Sequence, residues 1–281
     1  MTTESKKAEY KTVIEANNPW KPFNFKEIFA YKDFFYFKII NGFKSQQKQT
    51  ILGYFWVIFD PAFSILFYTI IFGKVANIDT GEMPYVVFNT AAVLGWSYLN
   101  KCMNASTASL KSESNLIQKV YFPRSIIPLI PCIVEFPNFL LRLVLTLCLL
   151  AWFGFYPGFE LLYLIPMLLI MVVFSMGMGL LITPFRLQYR DLDRIWGYFM
   201  RFYAYAIPMV YSIDNLPVSE FWKNVYMLNP AAPLIAGFRG ALTGTEIPWI
   251  YVGISALTSL LIFYIGGVIF KHKEPNIVDA L

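Results

Sequence analysis

Charged side chains inside long apolar runs are the first residues here that demand a chemical explanation, because an ionised group at membrane depth is costly unless something compensates it. Asp60, Glu135, Arg142 and Arg201 are of this kind. Glu135 and Arg142 lie on one helical face but about 10 Å apart along the axis. That spacing predicts that each pairs with another helix or snorkels, not that they meet. Asp60 directly precedes Pro61, and its carboxylate is expected to bond backbone groups that the proline frees. Bond-making chemistry has little to work with. The one histidine, His272, stands between Lys271 and Lys273 with no cysteine or carboxylate cluster beside it, so no catalytic residue, triad or metal site is expected. A phosphate cradle of the form GxxxxGKS or GxxxxGKT is absent, so the chain is not expected to hold ATP phosphates in that way.

A second set is aromatic. Tyr54, Phe55, Trp56, Phe59, Phe63, Phe67 and Tyr68 crowd one apolar run, and Trp196, Tyr198, Phe199, Phe202, Tyr203 and Tyr205 crowd another. Rings with polar tips suit a sugar, whose apolar face stacks while its hydroxyls find hydrogen bonds. The same residue types also serve as interfacial anchors and lipid-facing filler. Composition alone leaves both readings open.

The surroundings of these groups are set by the whole chain. Of 281 residues, 57% are hydrophobic and 15% charged, against roughly 25% charged in a soluble domain. With a mean hydropathy of +0.51 and 27 phenylalanines, the outer surface must face hydrocarbon. Disorder, collagen-like repeats and nucleic-acid binding are excluded. Cys102, Cys132 and Cys148 match no zinc or redox spacing and are read as small buried hydrophobes.

Apolar stretches long enough to cross about 30 Å as helices occur at 51–72, 85–103, 126–153, 161–185, 195–211 and 249–270. The expected fold is an all-α integral membrane protein with six transmembrane helices. The fifth stretch, with Arg201 inside and Pro208 near its end, could also be a shorter, tilted helix. Residues 1–24 are polar and carry no signal-peptide core, so the N-terminus is expected in the cytoplasm. Sorting the 23 lysines and arginines by side then leaves only Lys74, Lys223 and Arg239 on outer segments, with Arg142 and Arg201 within spans. The positive-inside rule therefore fits both termini in the cytoplasm. The expected organisation is a polar tail (1–24), an amphipathic interface helix (25–50), a six-helix membrane domain (51–272) and a C-terminal cytoplasmic tail (273–281).

The interface helix puts Phe25, Ile28, Phe29, Phe35, Tyr36, Ile39, Ile40 and Phe43 on one stripe, with Phe34 and Phe37 off it, and Asn24 with Glu27 as an N-cap pair. Residues 212–248 form an outer segment with two apolar pieces, about 221–228 and 231–242, split by Asn229-Pro230. Each is too short to span and is read as a short re-entrant helix. The connection 110–124 is polar, then amphipathic, and is expected to form a short helix ending at Phe122-Pro123. The connection 185–194 is a dense alternation of charges.

At these residues the sequence resembles the permease subunits of ABC exporters for lipid-linked polysaccharides, the O-antigen, capsule and teichoic-acid group. Leu52-Gly53 through Trp56 with Asp60-Pro61 and Tyr68 carry the resemblance, as do Asn115 to Val120 with Phe122-Pro123-Arg124 and Pro128. Tyr189-Arg190-Asp191 with Pro208 and Tyr211, and Leu228-Asn229-Pro230 with Arg239, complete it. The resemblance implies a homodimer of permeases joined to two nucleotide-binding subunits, which hold the ATP and Mg. The polymer would pass between the two permeases in the cytoplasmic (inner) membrane of a bacterium. It implies an ATPase-coupling role for Asn115, Leu116, Ile117, Lys119, Phe122, Pro123 and Arg124, and a substrate entrance at Arg186, Tyr189, Arg190, Asp191 and Arg194. It also implies a channel lining of Phe59, Phe63, Tyr198, Phe202 and Tyr205. Two alternatives stand beside it. One is an ABC permease of the same superfamily for a drug or small lipid, and the other is an integral-membrane glycosyl- or acyltransferase.

Overall fold

The structure is a computed structural model and describes residues 30–47, 53, 55–81, 83–120, 122–213, 215 and 217–277. The polar tail 1–24, the N-cap pair Asn24 and Glu27, the stripe residues Phe25, Ile28 and Phe29, and Tyr54 lie outside the described residues.

The described chain is helical. Helix α1 (Lys32–Gln47) is followed by α2 (Phe55–Tyr68), which keeps Pro61 in its interior and runs on as a π-helical segment, Thr69–Val75. Helix α3 (Tyr85–Ser112) leads into one turn, α4 (Ser114–Ile117). A 3-10 segment, Arg124–Leu129, then feeds α5 (Ile130–Val134) and α6 (Phe136–Trp152). Helix α7 (Leu164–Gln188) and α8 (Asp191–Tyr203) follow. The chain ends in α9 (Glu220–Met227), α10 (Ala231–Thr243) and α11 (Trp249–Lys273).

Among the described residues, four helical stretches are long and apolar enough to cross a membrane: Phe55–Val75, Arg124–Trp152, Phe159–Gln188 and Trp249–Ile277. Helix α3 has the length, about 42 Å for its 28 residues, but its buried asparagine, serine and threonine side chains lower its apolarity. Some of those polar groups find partners inside: Ser106 Oγ donates to the Pro128 carbonyl at 2.5 Å and Thr107 Oγ1 to the Met103 carbonyl at 2.8 Å, while Asn89 Oδ1 and the Ser109 hydroxyl are buried with no partner among the described residues. Helix α8 has 13 residues and gives way to a 3-10 turn, Ala204–Ala206. The fifth stretch is thus not one continuous helix.

The core is built around α3, α7, α10 and α11. Small residues let the last two long helices touch through their backbones. A Cβ on Gly177 would meet the Phe263 backbone N at 2.7 Å, and one on Gly266 would meet the Gly177 carbonyl at 2.5 Å. This is the close approach that membrane helices use in place of a hydrophobic driving force. The outer segment splits at Asn229-Pro230 as its sequence indicates. Asn229 Oδ1 accepts from the Tyr203 hydroxyl (2.6 Å) and the Ala231 N–H (3.2 Å), while its Nδ2 donates to the Ala206 carbonyl (2.9 Å). Helix α10 ends where Gly244 adopts a left-handed φ of 74°. Along its length α10 is buried, and Arg239 lies over the Phe88 ring at 3.5 Å and donates to the Phe88 and Pro208 carbonyls.

Several expectations need correction. Glu135 and Arg142 do pair, at 2.5 Å and almost fully buried. Long side chains on a helix lean toward its N-terminus, so Arg142 reaches back along the axial gap to a carboxylate at the start of α6. Asp60 finds Lys101 at 3.4 Å, not freed backbone; the Asp60 carbonyl is taken by the Ser64 hydroxyl at 2.9 Å. Cys102 and Cys132 are buried, but Cys148 is exposed, because it continues the outward stripe of Leu140 and Val144 on α6. In α1, Tyr36 is exposed while Phe34, expected off the stripe, stacks on Phe122 at 4.6 Å. The helix lies between two surfaces, with Phe35, Ile39 and Phe43 against Ile130 and Val134 and Phe34 against the turn at Phe122.

Candidate functional site

At one end of the molecule the connection expected to couple to an ATPase is a single helical turn closed by tight bonds. Lys119 and Val120 N–H groups both donate to the Leu116 carbonyl, at 3.1 and 3.0 Å. The helix therefore stops at Ile117 and not at Phe122-Pro123. Burial of Phe122 under Phe34 draws the chain back to the body before another turn can form. The seven residues named for this role divide by position. Ile117, Phe122 and Pro123 are buried anchors, whereas Asn115 and Lys119 are exposed and Leu116 half-buried. Arg124 donates to the Glu274 carbonyl at 2.7 Å, which ties the segment to the end of α11, where Lys271 pairs with Glu274 at 2.7 Å. Lys38 of α1 pairs with Glu113 at 2.6 Å. The segment is thus a rigid knuckle bolted to α1 and α11 and tipped by Asn115, Lys119 and the exposed Val120. Sequence reasoning missed Val120 as a tip residue and Lys38–Glu113 as a bolt. The first is a plain valine, and the second joins residues far apart in the chain.

Beside the knuckle, the connection between α7 and α8 collects charge. Asp193 is the hub. Arg186 reaches it through Nε at 2.9 Å and Nη2 at 2.7 Å, and Lys111 at 2.5 Å. Burial alone would raise the Asp193 pKa, but hydrogen bonds from Lys111 and Arg186, with their charges, outweigh it and hold the carboxyl below its ordinary value. Arg186 also donates to Thr107 Oγ1 at 2.6 Å and sits 5.9 Å from the Trp196 ring, whose Nε1 donates to Asn104 at 2.9 Å. Of the five residues named for the entrance, Arg186 is therefore committed to the fold. Tyr189, Arg190, Asp191 and Arg194 point outward, and the Arg190 and Arg194 guanidiniums make no bond among the described residues. Two free guanidiniums and a phenol can hold a phosphate-bearing head through charge-assisted hydrogen bonds.

The five aromatic residues named for a channel are all exposed. On α2 the Phe55, Phe59, Phe63 and Phe67 rings stack in a row with centroids 5.2, 5.9 and 6.5 Å apart. On α8 and the turn after it Tyr198, Phe202 and Tyr205 form a second exposed stripe, with Arg201 5.8 Å from the Tyr198 ring. Both rows are exposed among the described residues, and within those residues the structure does not bring the two rows into contact through any ring pair. Among those residues no group of three or more His, Cys, Asp or Glu side chains could hold a metal ion.

Comparison with known proteins bears on these features. The family model for the ABC-2 type transporter matches residues 35–243. The chain is similar to the O-antigen export system permease protein RfbA of Klebsiella pneumoniae, with 27% identity over 239 residues, covering 85% of this chain and 91% of that protein. It is also similar to the O-antigen export system permease protein RfbA of Myxococcus xanthus, with 19% identity over 257 residues, covering 91% and 98%.

Proposed function

The chain belongs to the ABC-2 type transporter family, as a multi-pass membrane permease and not an enzyme, and from that premise we propose that it exports a lipid-linked polysaccharide across the bacterial cytoplasmic membrane. In this reading two copies form the path, each crossing the bilayer six times with both termini in the cytoplasm. Helix α3 is one crossing despite its polarity, because its polar groups face protein. Helix α8 with the turn after it is another. Helices α9 and α10 lie within the outer leaflet as re-entrant pieces.

The observation that carries the proposal is the pair of uncovered aromatic rows on α2 and α8. A ring row exposed along its length, tipped by tyrosine hydroxyls on one side, suits a glycan sliding between two copies. The free guanidiniums of Arg190 and Arg194 would receive the phosphate-linked lipid head at the inner face. The knuckle at Asn115, Lys119 and Val120 would dock into an ATPase subunit that holds ATP and Mg. Binding of ATP there acts by favouring one docking geometry over another, since a ligand shifts an equilibrium only through differential affinity.

Cysteine cross-linking tests the path. With Cys148 replaced by serine, Phe63→Cys or Phe202→Cys is introduced and the full transporter oxidised in membranes. Cross-linked permease pairs that no longer export, with lipid-linked glycan trapped and identified by mass spectrometry, are the expected result. Absence of any cross-link at both positions, or a trapped drug-like or simple lipid cargo, would overturn the glycan path.

A further inference from the structure

A cavity of about 510 Å3 opens between α2, α3 and α6, within the range of roughly 300–1,000 Å3 typical of ligand sites. Its wall is apolar, with Ile58, Ile65, Leu66, Val93 and Leu149 contributing. Two groups in it are out of keeping with a dry void. Arg142, 2% exposed, gives its Nη2 to Glu135, yet its Nε and Nη1 have no hydrogen-bond partner among the described residues. Thr69 Oγ1, in the same wall, is likewise buried without one. Buried N–H and O–H groups left unmade are expensive and call for an explanation, and these two belong to residues that line a cavity large enough to admit an occupant.

The chemistry of the occupant follows from the charges. Arg142 is already balanced by Glu135, so its free N–H groups lack an acceptor and not a counter-charge. An ester carbonyl supplies that. Lys74 also lines the cavity; it lies in the last turn of the π-helical segment that ends the Phe55–Val75 stretch, is exposed, and makes no ion pair among the described residues. An anionic group at the end of the stretch, ester carbonyls below it and hydrocarbon chains against the apolar wall together describe a glycerophospholipid. The ring row of Phe59, Phe63 and Phe67 lies roughly a third of a turn around α2 from Ile58, Ala62, Ile65 and Thr69, so an occupant here leaves that row open.

We propose that the cavity between α2, α3 and α6 binds an anionic glycerophospholipid of the membrane, its ester carbonyl accepting from Arg142 and Thr69 and its phosphate paired with Lys74. The site is independent of what the transporter carries.

The test uses the full chain reconstituted with equal amounts of phosphatidylethanolamine and phosphatidylglycerol, re-extracted in mild detergent, and read by native mass spectrometry for retained lipid. Thr146→Phe, which fills the cavity beside Arg142, is expected to lower retained phospholipid about tenfold, equivalent to about 1.4 kcal/mol. Lys74→Glu, at an exposed position that leaves packing alone, is expected to lower the preference for phosphatidylglycerol about fivefold. Unchanged retention and unchanged preference in Lys74→Glu, whether or not Thr146→Phe folds, would overturn the proposal. So would a retained species that carries no glycerol ester.

Discussion

Helix α2 is strongly apolar and none of its residues is buried, whereas its neighbour α3 carries asparagine, serine and threonine and buries most of its length. In water the assignment would be reversed. Where the solvent is hydrocarbon, apolar side chains gain nothing by leaving it, and enclosure goes instead to residues that pack closely or need hydrogen-bond partners. The exposed rows on α2 and α8 and the enclosed polar groups of α3 are therefore two outcomes of one rule. Loss of an enclosed group should damage the fold, and loss of an exposed ring should damage only what the ring touches.

The largest expected effect breaks the buried ion pair. Glu135→Ala leaves Arg142 charged and unpaired in the interior, and a loss of about 3–5 kcal/mol is expected. The double variant Glu135→Leu, Arg142→Leu should recover most of it, because no charge is then left alone. Thermal unfolding of the detergent-purified chain reads both. A single variant as stable as the parent would mean that enclosure does not depend on pairing.

Next comes the glycine contact between α7 and α11. Gly177→Ala places a methyl group 2.7 Å from the Phe263 backbone N, and backbone cannot rotate away as a side chain can. A loss of about 1–3 kcal/mol is expected. Gly197→Ala on α8, where a Cβ meets nothing within 4 Å, should be neutral or stabilising by up to about 1 kcal/mol. Equal losses at the two positions would erase the contrast between enclosed and exposed faces.

The Asp193 hub lies between these extremes. Because its folded pKa is lowered from the ordinary 3.8, the carboxylate adds stability that is present above that value and lost as pH falls through the folded one. Asp193→Asn should cost on the order of 1 kcal/mol at neutral pH, as for a partly screened charge network. The gap between the melting curves of parent and variant should narrow as pH falls below the ordinary 3.8 and through the folded value. A gap that does not narrow with acid would assign the effect to packing.

Legibility in the sequence divides along the same line. The outer segment was readable at Asn229-Pro230 because a local residue pair sets the break, and its second piece corresponds closely to Ala231–Thr243. The aromatic clusters were visible as local runs of residues, but which rings face outward was not, since Trp196 is buried two residues before exposed Tyr198. The commitment of Arg186 to the fold was readable only in part, since Asp193 lies seven residues on but Thr107, its other partner, lies 79 residues away. The Glu135–Arg142 bond was misjudged from axial rise alone, without the reach of two long side chains. Cys148 was misread because an apolar neighbourhood in a membrane chain does not distinguish an inward face from an outward one.

The smallest effect on stability is expected where the effect on transport is largest. Phe63 is 56% exposed and touches Phe59 and Phe67 only by stacking along its own helix. Pairs four residues apart on one helix contribute about 0.2–0.5 kcal/mol each, and exposed substitutions elsewhere stay within about 0.5 kcal/mol. Phe63→Ala should therefore leave the melting temperature of the isolated chain nearly unchanged. Phe238→Ala, which empties a fully enclosed site against Gly95, should cost about 3 kcal/mol through its cavity. In cells, Phe63→Ala should lower export at undiminished permease levels, while Phe238→Ala should lower permease level and export together. If Phe63→Ala exports normally, the exposed row on α2 faces lipid, and the comparison between the two helices reduces to one between lipid and protein as neighbours.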